Sequence, residues 1–269
     1  MPTIRTIRGR GGGDVPITML TAYDAPTAAI VDEAGIDVIL VGDSLANTVL
    51  GYASTVPVTL DEMVSHTAAV VRGVDEALVV GDMPFLSYGL DEAESIRHAG
   101  RMLKEAGAQA VKLECGPHTV DLTRRLVELG IPVMAHLGLT PQHVHQLGLS
   151  RQGTSQAAAD EIRELARAHE DAGAFSLVLE HVPANLAAAV SDDLDVPTIG
   201  IGAGPHTDGQ VLVLADVIGL EPNPAVFSTA FGDVRGEMAR AVAGYRDAVV
   251  AGDYPAEEHT YVEEDLDLD

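Results

Sequence analysis

The 269-residue sequence predicts a (β/α)8 TIM barrel, an α/β fold in a single domain. Three observations predict it. The length is that of one such barrel. Eight short apolar runs recur with helical patterns between them and no linker. Hydrophobic residues make up 46% of the chain and aromatics only 4%, with no Trp, as expected of parallel strands covered on both faces. A doubly wound open sheet is the alternative, and even strand spacing argues for closure.

Strand-like runs fall near Ile17–Leu20, Val38–Val41, Leu78–Gly81, Ala110–Leu113, Val133–His136, Ser176–Leu179, Thr198–Ile201 and Val217–Leu220. Helical patterns lie near Ala25–Ala34, Leu60–Val71, Asp91–Ala106, His118–Leu129, Ser155–Ala172, Ala184–Leu194 and Asp208–Leu214. Ala34-Gly35, Ala106-Gly107 and Ala172-Gly173 close three helices, with Gly suited to a left-handed C-cap. Pro132 and Pro197 stop a helix and open the next extended segment. A final helix spans Asp233 to Ala251. The expected division is a barrel over 1–252 and an acidic tail over 253–269.

The chain has 16 Lys and Arg against 41 Asp and Glu, a net charge of −25. That sign excludes nucleic acid and anionic membrane as partners, since both require basic surface. Many acids fall on exposed helix faces, such as Asp160, Glu161, Glu164, Glu170 and Asp171. With lysine reduced to Lys104 and Lys112, the pattern points to adaptation to high salt, which screens the self-repulsion. No apolar run is long enough to span a membrane. Met1 to Arg10 lacks the apolar core of a secretory signal. Cys115 alone cannot form an internal disulfide, which fits a cytoplasmic location.

Four strands end in an acid: Asp43, Asp82, Glu114 and Glu180. In a parallel barrel these ends meet on one face, where catalysis takes place. Carboxylates so close resist ionising together unless a divalent cation lies between them. Gly42-Asp43-Ser44 offers a carboxylate and a hydroxyl, or alternatively a helix cap. Gly81-Asp82 repeats the Gly-Asp pairing one βα unit later. Lys112 and Glu114 are two apart and share a strand face, so an inward-facing pair must meet a metal, an anionic substrate or each other. His136 ends the fifth strand as a hydrogen-bond donor, metal ligand, base or structural histidine. Glu180, after an apolar run, suits proton abstraction. Gly200-Ile201-Gly202-Ala203-Gly204 suits a phosphate or carboxylate, or makes room for a ring.

The segments TAYDAP, VILVGDSLANTVLGYASTVPVTLDEMVSHTAAVVRG, GDMPF, AGAQAVKLE, PVMAHLGLTPQ, LVLEHVP, IGIGAGPHTDGQVLV and GDYPAEEH run over nearly the whole chain. In them the sequence resembles the ketopantoate hydroxymethyltransferases. The resemblance implies a (β/α)8 barrel, a Mg²⁺ ion and a cytoplasmic homo-oligomer, with a decamer favoured. It implies transfer of a one-carbon unit from 5,10-methylenetetrahydrofolate to 3-methyl-2-oxobutanoate. Carried over by motif, Asp43, Asp82 and Glu114 form the metal site, Asp43, Ser44, Asp82 and Lys112 contact the 2-oxo acid, and Glu180 is the base. The chain departs from the pattern after the eighth strand, where EPNPAVFSTAFGDV carries no basic residue before Arg235. Two competing readings are a metal-dependent lyase or mutase of the phosphoenolpyruvate mutase and isocitrate lyase kind, and a non-catalytic binding barrel. The first calls for a reactive Cys in a loop, whereas Cys115 directly follows Glu114. The second fits poorly with an intact set of acids, base and lysine.

Overall fold

In the computed structural model, residues 2–13 and 15–263 are described. Eight parallel strands close into a barrel in sequence order: β1 Ile17–Thr21, β2 Val38–Val41, β3 Leu78–Asp82, β4 Ala110–Glu114, β5 Val133–Gly138, β6 Ser176–Glu180, β7 Thr198–Ile201 and β8 Gly209–Leu212. β8 pairs with β1 through Ile17↔Gly209, so the sheet has no open edge and the doubly wound alternative is excluded.

Helices lie between the strands because the sequence alternates a period of two with a period of 3.6. Leu60–Arg72 starts on a capping box in which Thr59 and Glu62 exchange hydrogen bonds. Gly35 and Gly173, at φ 80° and 100°, leave their helices in the left-handed region, which a side chain would strain. Asp32, at the end of the helix Ala25–Glu33, accepts the N–H groups of Asp75, Glu76 and Ala77 and so fixes the entry to β3.

Inside the barrel, side chains alternate strictly. Ile17, Met19, Val38, Leu40, Leu78, Val80, Ala110, Met134, Val178, Ile199 and Val211 form one apolar cluster with Ile7. Ile39, Val41, Val79, Val111, Leu113 and Leu177 face the helices instead. One step of two beyond the inner apolar residues lie Asp82, Lys112, His136 and Glu180, and one step beyond Lys112 lies Glu114. The strand period therefore places an acidic, basic and imidazole layer directly on an apolar one.

Two predicted elements are corrected. The expected helix at Asp208–Leu214 contains β8, and the expected strand at Val217–Leu220 overlaps the helix Leu214–Val217. No helix separates β7 from β8. The strands are only four residues long, so the loop 202–208 suffices for the return. Asp208 pins it, accepting from Thr198 N at 2.8 Å and Gly12 N at 2.6 Å, while its carbonyl accepts from Ile17 N. Four apolar residues in a row do not distinguish strand from helix. The short helices Ile4–Arg8, Leu45–Thr48 and Val144–Leu147 were also not anticipated.

The chain falls into two compact units, one of Met1–Leu214 with Val226–Ser228, the other of Ala215–Ala225 with Thr229–Asp269. The barrel lies in the first. The second carries the helix Val234–Ala251. Of the expected tail, residues 264–269 lie outside the described residues.

Asp160, Glu161, Glu164 and Asp171 are exposed as expected, whereas Glu170 is half-buried and accepts the N–H groups of Asp195 and Val196. Lys112 is buried, which leaves Lys104 as the exposed lysine. With so little basic surface, Tm is expected to rise between about 0.1 M and about 3 M KCl as the self-repulsion is screened. A flat or falling Tm in a thermal melt series would contradict this. No helix among the described residues is long and apolar enough to cross a membrane.

Candidate active site

The ends of β2 to β6 bring all the predicted residues to one cavity of about 100 Å³. Asp43, Ser44, Asp82, Lys112, Glu114 and Glu180 all line it, with His136 among them. Asp82 and Glu114 are 1% exposed, Lys112 4% and Asp43 5%. Three buried carboxylates and one buried lysine leave an excess of negative charge that burial makes costly.

Register explains the contacts. Asp82 lies beside Lys112 across β3 and β4, and Glu114 beside His136 across β4 and β5. Lys112 Nζ is 2.9 Å from Asp82 Oδ2, which also accepts from Asp43 N at 3.0 Å. Asp82 Oδ1 finds no hydrogen-bond partner among the described residues. Burial pushes the Asp82 carboxyl up to about 7, with Asp43 adding to the shift and Lys112 opposing it. Glu114 is held well above the carboxylate range by burial and then by Asp43. Burial opposes the charge on Lys112, yet Asp82, Asp43 and Glu114 outweigh it and raise its pKa.

That charge sets the state of His136. Lys112 Nζ lies 3.3 Å from His136 Nδ1, and an ammonium can only donate. Nδ1 therefore accepts and the ring proton sits on Nε2. Burial and the neighbouring Lys112 both lower the His136 pKa, in agreement with a neutral ring. Nε2 is 3.2 Å from Glu180 Oε2, though too far off line to count as a formed hydrogen bond. Glu180 is the least buried of the four acids, with a side chain 17% exposed.

Ser44 precedes the short helix but does not cap it with its side chain; its Oγ lies 2.8 Å from the Tyr23 hydroxyl. A helix cap therefore does not account for Ser44. A Cβ at Gly42 would stand 2.8 Å from Ser44 Oγ, so a side chain there would displace the hydroxyl that meets Tyr23. The Gly-rich loop after β7 has a packing explanation. A Cβ at Gly200 would meet Thr207 Oγ1 at 2.6 Å, one at Gly202 the Phe227 ring at 2.6 Å, and one at Gly204 the Ala184 side chain. Of the readings open for that loop, close packing is what these contacts describe.

Sequence reasoning missed Gln142. It lies in the turn after β5 and touches Asp43, Glu114, Met83 and Tyr88. Uncharged and off a strand end, it gave no chemical signal of its own, although it closes the PVMAHLGLTPQ segment that carries the family resemblance. Burial pushes the Cys115 thiol up to about 12, so it is not a nucleophile at neutral pH.

Among the described residues, no three His, Cys, Asp or Glu side chains are grouped to hold a metal ion by themselves. The chemistry of the set nonetheless suits a hard cation that completes its shell with substrate and water: oxygen donors, excess negative charge and an unpaired buried oxygen on Asp82.

A buried acid–lysine cluster at the C-terminal end of a (β/α)8 barrel defines a barrel enzyme acting on a small anionic substrate. Residues 2–257 match the model of the family "Ketopantoate hydroxymethyltransferase", and the chain belongs to that family. It is 65% identical to the 3-methyl-2-oxobutanoate hydroxymethyltransferase of Natronomonas pharaonis, over 98% of each chain. It is 63% identical to that of Haloarcula marismortui, over 99% of each. Both come from halophilic archaea, in keeping with the acidic surface. The enzyme of Geobacter metallireducens is 47% identical over 96% of this chain and 98% of its own. Among solved structures, phosphoenolpyruvate phosphomutase from Streptomyces platensis subsp. rosaceus superposes with a TM-score of 0.62 at 14% identity, over 94% of this chain and 92% of that one. A 2,3-dimethylmalate lyase gives 0.58 at 16%, over 97% and 92%. The competing lyase or mutase reading thus shares the fold, while the family assignment goes to the hydroxymethyltransferases.

Proposed function

We propose that the protein transfers a hydroxymethyl group from 5,10-methylenetetrahydrofolate to 3-methyl-2-oxobutanoate, giving 2-dehydropantoate for pantothenate and coenzyme A synthesis. One observation supports this beyond family membership: apart from Leu40 and Val178, the charged and apolar groups of the cavity wall concentrate on opposite sides. β2 to β5 supply Asp43, Asp82, Lys112, Glu114 and His136, while β7 and β8 supply Ile201, Val211 and Leu212. In a closed eight-stranded barrel β3 and β4 face β7 and β8. A 2-oxo acid would set its carboxylate and keto oxygen against the charged arc and its two methyl groups against the apolar arc. Bound with C3 toward the β6 side, the substrate would present its C3 proton to Glu180, the last residue of β6.

Lys112 would pair with the substrate carboxylate as a point charge, and Ser44 would donate to one of its oxygens. Glu180 would remove the C3 proton, with the neutral His136 ring 3.2 Å away beside its carboxylate. C3 then bonds to the one-carbon unit as that carbon's two bonds to the folate nitrogens break; water supplies the hydroxyl, and the protons from C3 and from water go to the nitrogens of the tetrahydrofolate that leaves. Asp43, Asp82 and Glu114 would hold Mg²⁺, which takes only one or two carboxylates directly and keeps water and substrate oxygens. When bound, the cation draws electron density from the keto oxygen and acidifies C3–H. A cytoplasmic homo-oligomer, with a decamer favoured, belongs to the same proposal. The Val234–Ala251 helix has no buried residue and exposes Met238, Val242 and Tyr245, and light scattering in molar KCl measures the size.

The test is direct. Purified protein in molar KCl with Mg²⁺ and both substrates should form 2-dehydropantoate; a chain that binds both without turnover refutes the reading.

A pH effect follows from Asp82. Its folded pKa of about 7 lies above the ordinary value of 3.8, so its protonated form stabilises the metal-free fold at low pH and that contribution is lost as pH rises through about 7. A cation competes with this proton, so its affinity should rise up to about pH 7 and then level off. The Tm gain from Mg²⁺ is therefore expected to be larger at pH 8 than at pH 5.5. An equal gain would remove Asp82 from the metal site.

A further inference from the structure

Gln142 is 4% exposed, and every bond its side chain makes constrains another group of the site. Its Nε2 donates to Asp43 Oδ2 at 3.0 Å and to the Met83 carbonyl at 2.9 Å. Its Oε1 accepts from the Tyr88 hydroxyl at 3.0 Å, and its backbone N–H donates to Glu114 Oε2 at 3.1 Å. The amide cannot turn over. The Met83 carbonyl only accepts, so it must face nitrogen. With nitrogen fixed there, Oε1 faces the Tyr88 hydroxyl, which accepts from Glu114 N at 3.0 Å and directs its own proton between Oε1 at 3.0 Å and the Glu114 carbonyl at 3.2 Å.

The geometry assigns Gln142 as a positioning residue for the divalent-cation site, fixing the carboxylates of Asp43 and Glu114 from β2 and β4 through one side chain and its own backbone. This rests on the reading that the acids bind a cation. An amide suits the task because it donates without carrying charge. It orders two carboxyl groups yet does not compete with the cation for them, as a second lysine would. Asp43 gives Oδ2 to Gln142 and keeps Oδ1 clear of it. Without the side-chain donor, the Asp43 carboxylate would lose the contact that orients it toward Glu114 before a cation arrived.

The experiment compares Mn²⁺ binding by the wild-type protein and Gln142→Met in molar KCl, read by electron paramagnetic resonance. Methionine keeps the length and removes the donor. The expected result is a Kd raised by about 10- to 100-fold, with kcat recovering at saturating metal and the metal-free Tm little changed. An unchanged Kd in a folded variant overturns the assignment; so does a fall in kcat that saturating metal fails to restore, since that marks a purely structural role. If Gln142→Met does not fold, Gln142→Asn, one methylene too short to reach Asp43, is judged by the same criteria. Wild-type protein that binds no Mn²⁺ overturns the metal reading itself, a result distinct from wild-type binding that the variants leave unaltered.

Discussion

Asp82→Ala is expected to reduce turnover to the background rate at every Mg²⁺ concentration. Asp82 has three roles at once: it accepts from Asp43 N, pairs with Lys112 at 2.9 Å and holds an unpaired Oδ1 toward the site. Alanine removes all three and leaves Lys112 buried without its nearest counter-charge. Breaking a buried pair from one side typically costs about 3–5 kcal/mol, so Tm should also fall. Asp82→Asn separates the two effects, because its oxygen can still accept from Asp43 N and Lys112 while it carries no charge for a cation. It should fold better than Asp82→Ala and be nearly as inactive. Retained activity in Asp82→Asn, or full wild-type activity in EDTA, would contradict a metal site built on Asp82.

The site was legible where strand chemistry governs it. A period of two puts Lys112 and Glu114 on one face, and the end of an apolar run puts Asp82, Glu114 and Glu180 at the C-terminal rim, so these three strand ends could be read without coordinates. Two kinds of information were not in the pattern. One is the exchange of a side chain for an element: Asp208 ties β7, β8 and the N-terminal segment together, so a short loop replaces the helix that periodicity leads one to expect. Gly209–Leu212 contains Gly and Gln, and its burial alternates, while the more apolar Val217–Leu220 is not a strand. The other is a neutral residue acting on charged ones. Gln142 and Tyr88 matter through which atoms they face, and that depends on how the loops after β5 and β3 fold over the barrel. The same holds for His136, whose proton position follows from a lysine that register, rather than sequence proximity, brings to it.

Glu180→Gln is expected to lower kcat by about 10²- to 10⁴-fold, the usual range for loss of a general base, with little change in KM. A group that acts only on the C3 proton contributes to the transition state and not to the bound ground state, so binding should survive. The placement supports this division. Glu180 stands at the end of β6, between the charged arc and the apolar arc, and is more exposed than Asp43, Asp82 or Glu114. Glutamine keeps its shape and offers a carbonyl oxygen to His136 Nε2–H, so the local packing should hold. The decisive measurement is loss of deuterium from C3 of labelled 3-methyl-2-oxobutanoate, with Mg²⁺ present and the folate omitted, because it isolates proton removal from carbon–carbon bond formation. Wild-type protein should catalyse the exchange and Glu180→Gln should not. Equal rates would move the role elsewhere, and His136 would be the next group to test. It is a weaker base in this setting, since Nδ1 is occupied by Lys112 and Nε2 carries the proton. His136→Asn should therefore slow exchange less than Glu180→Gln does.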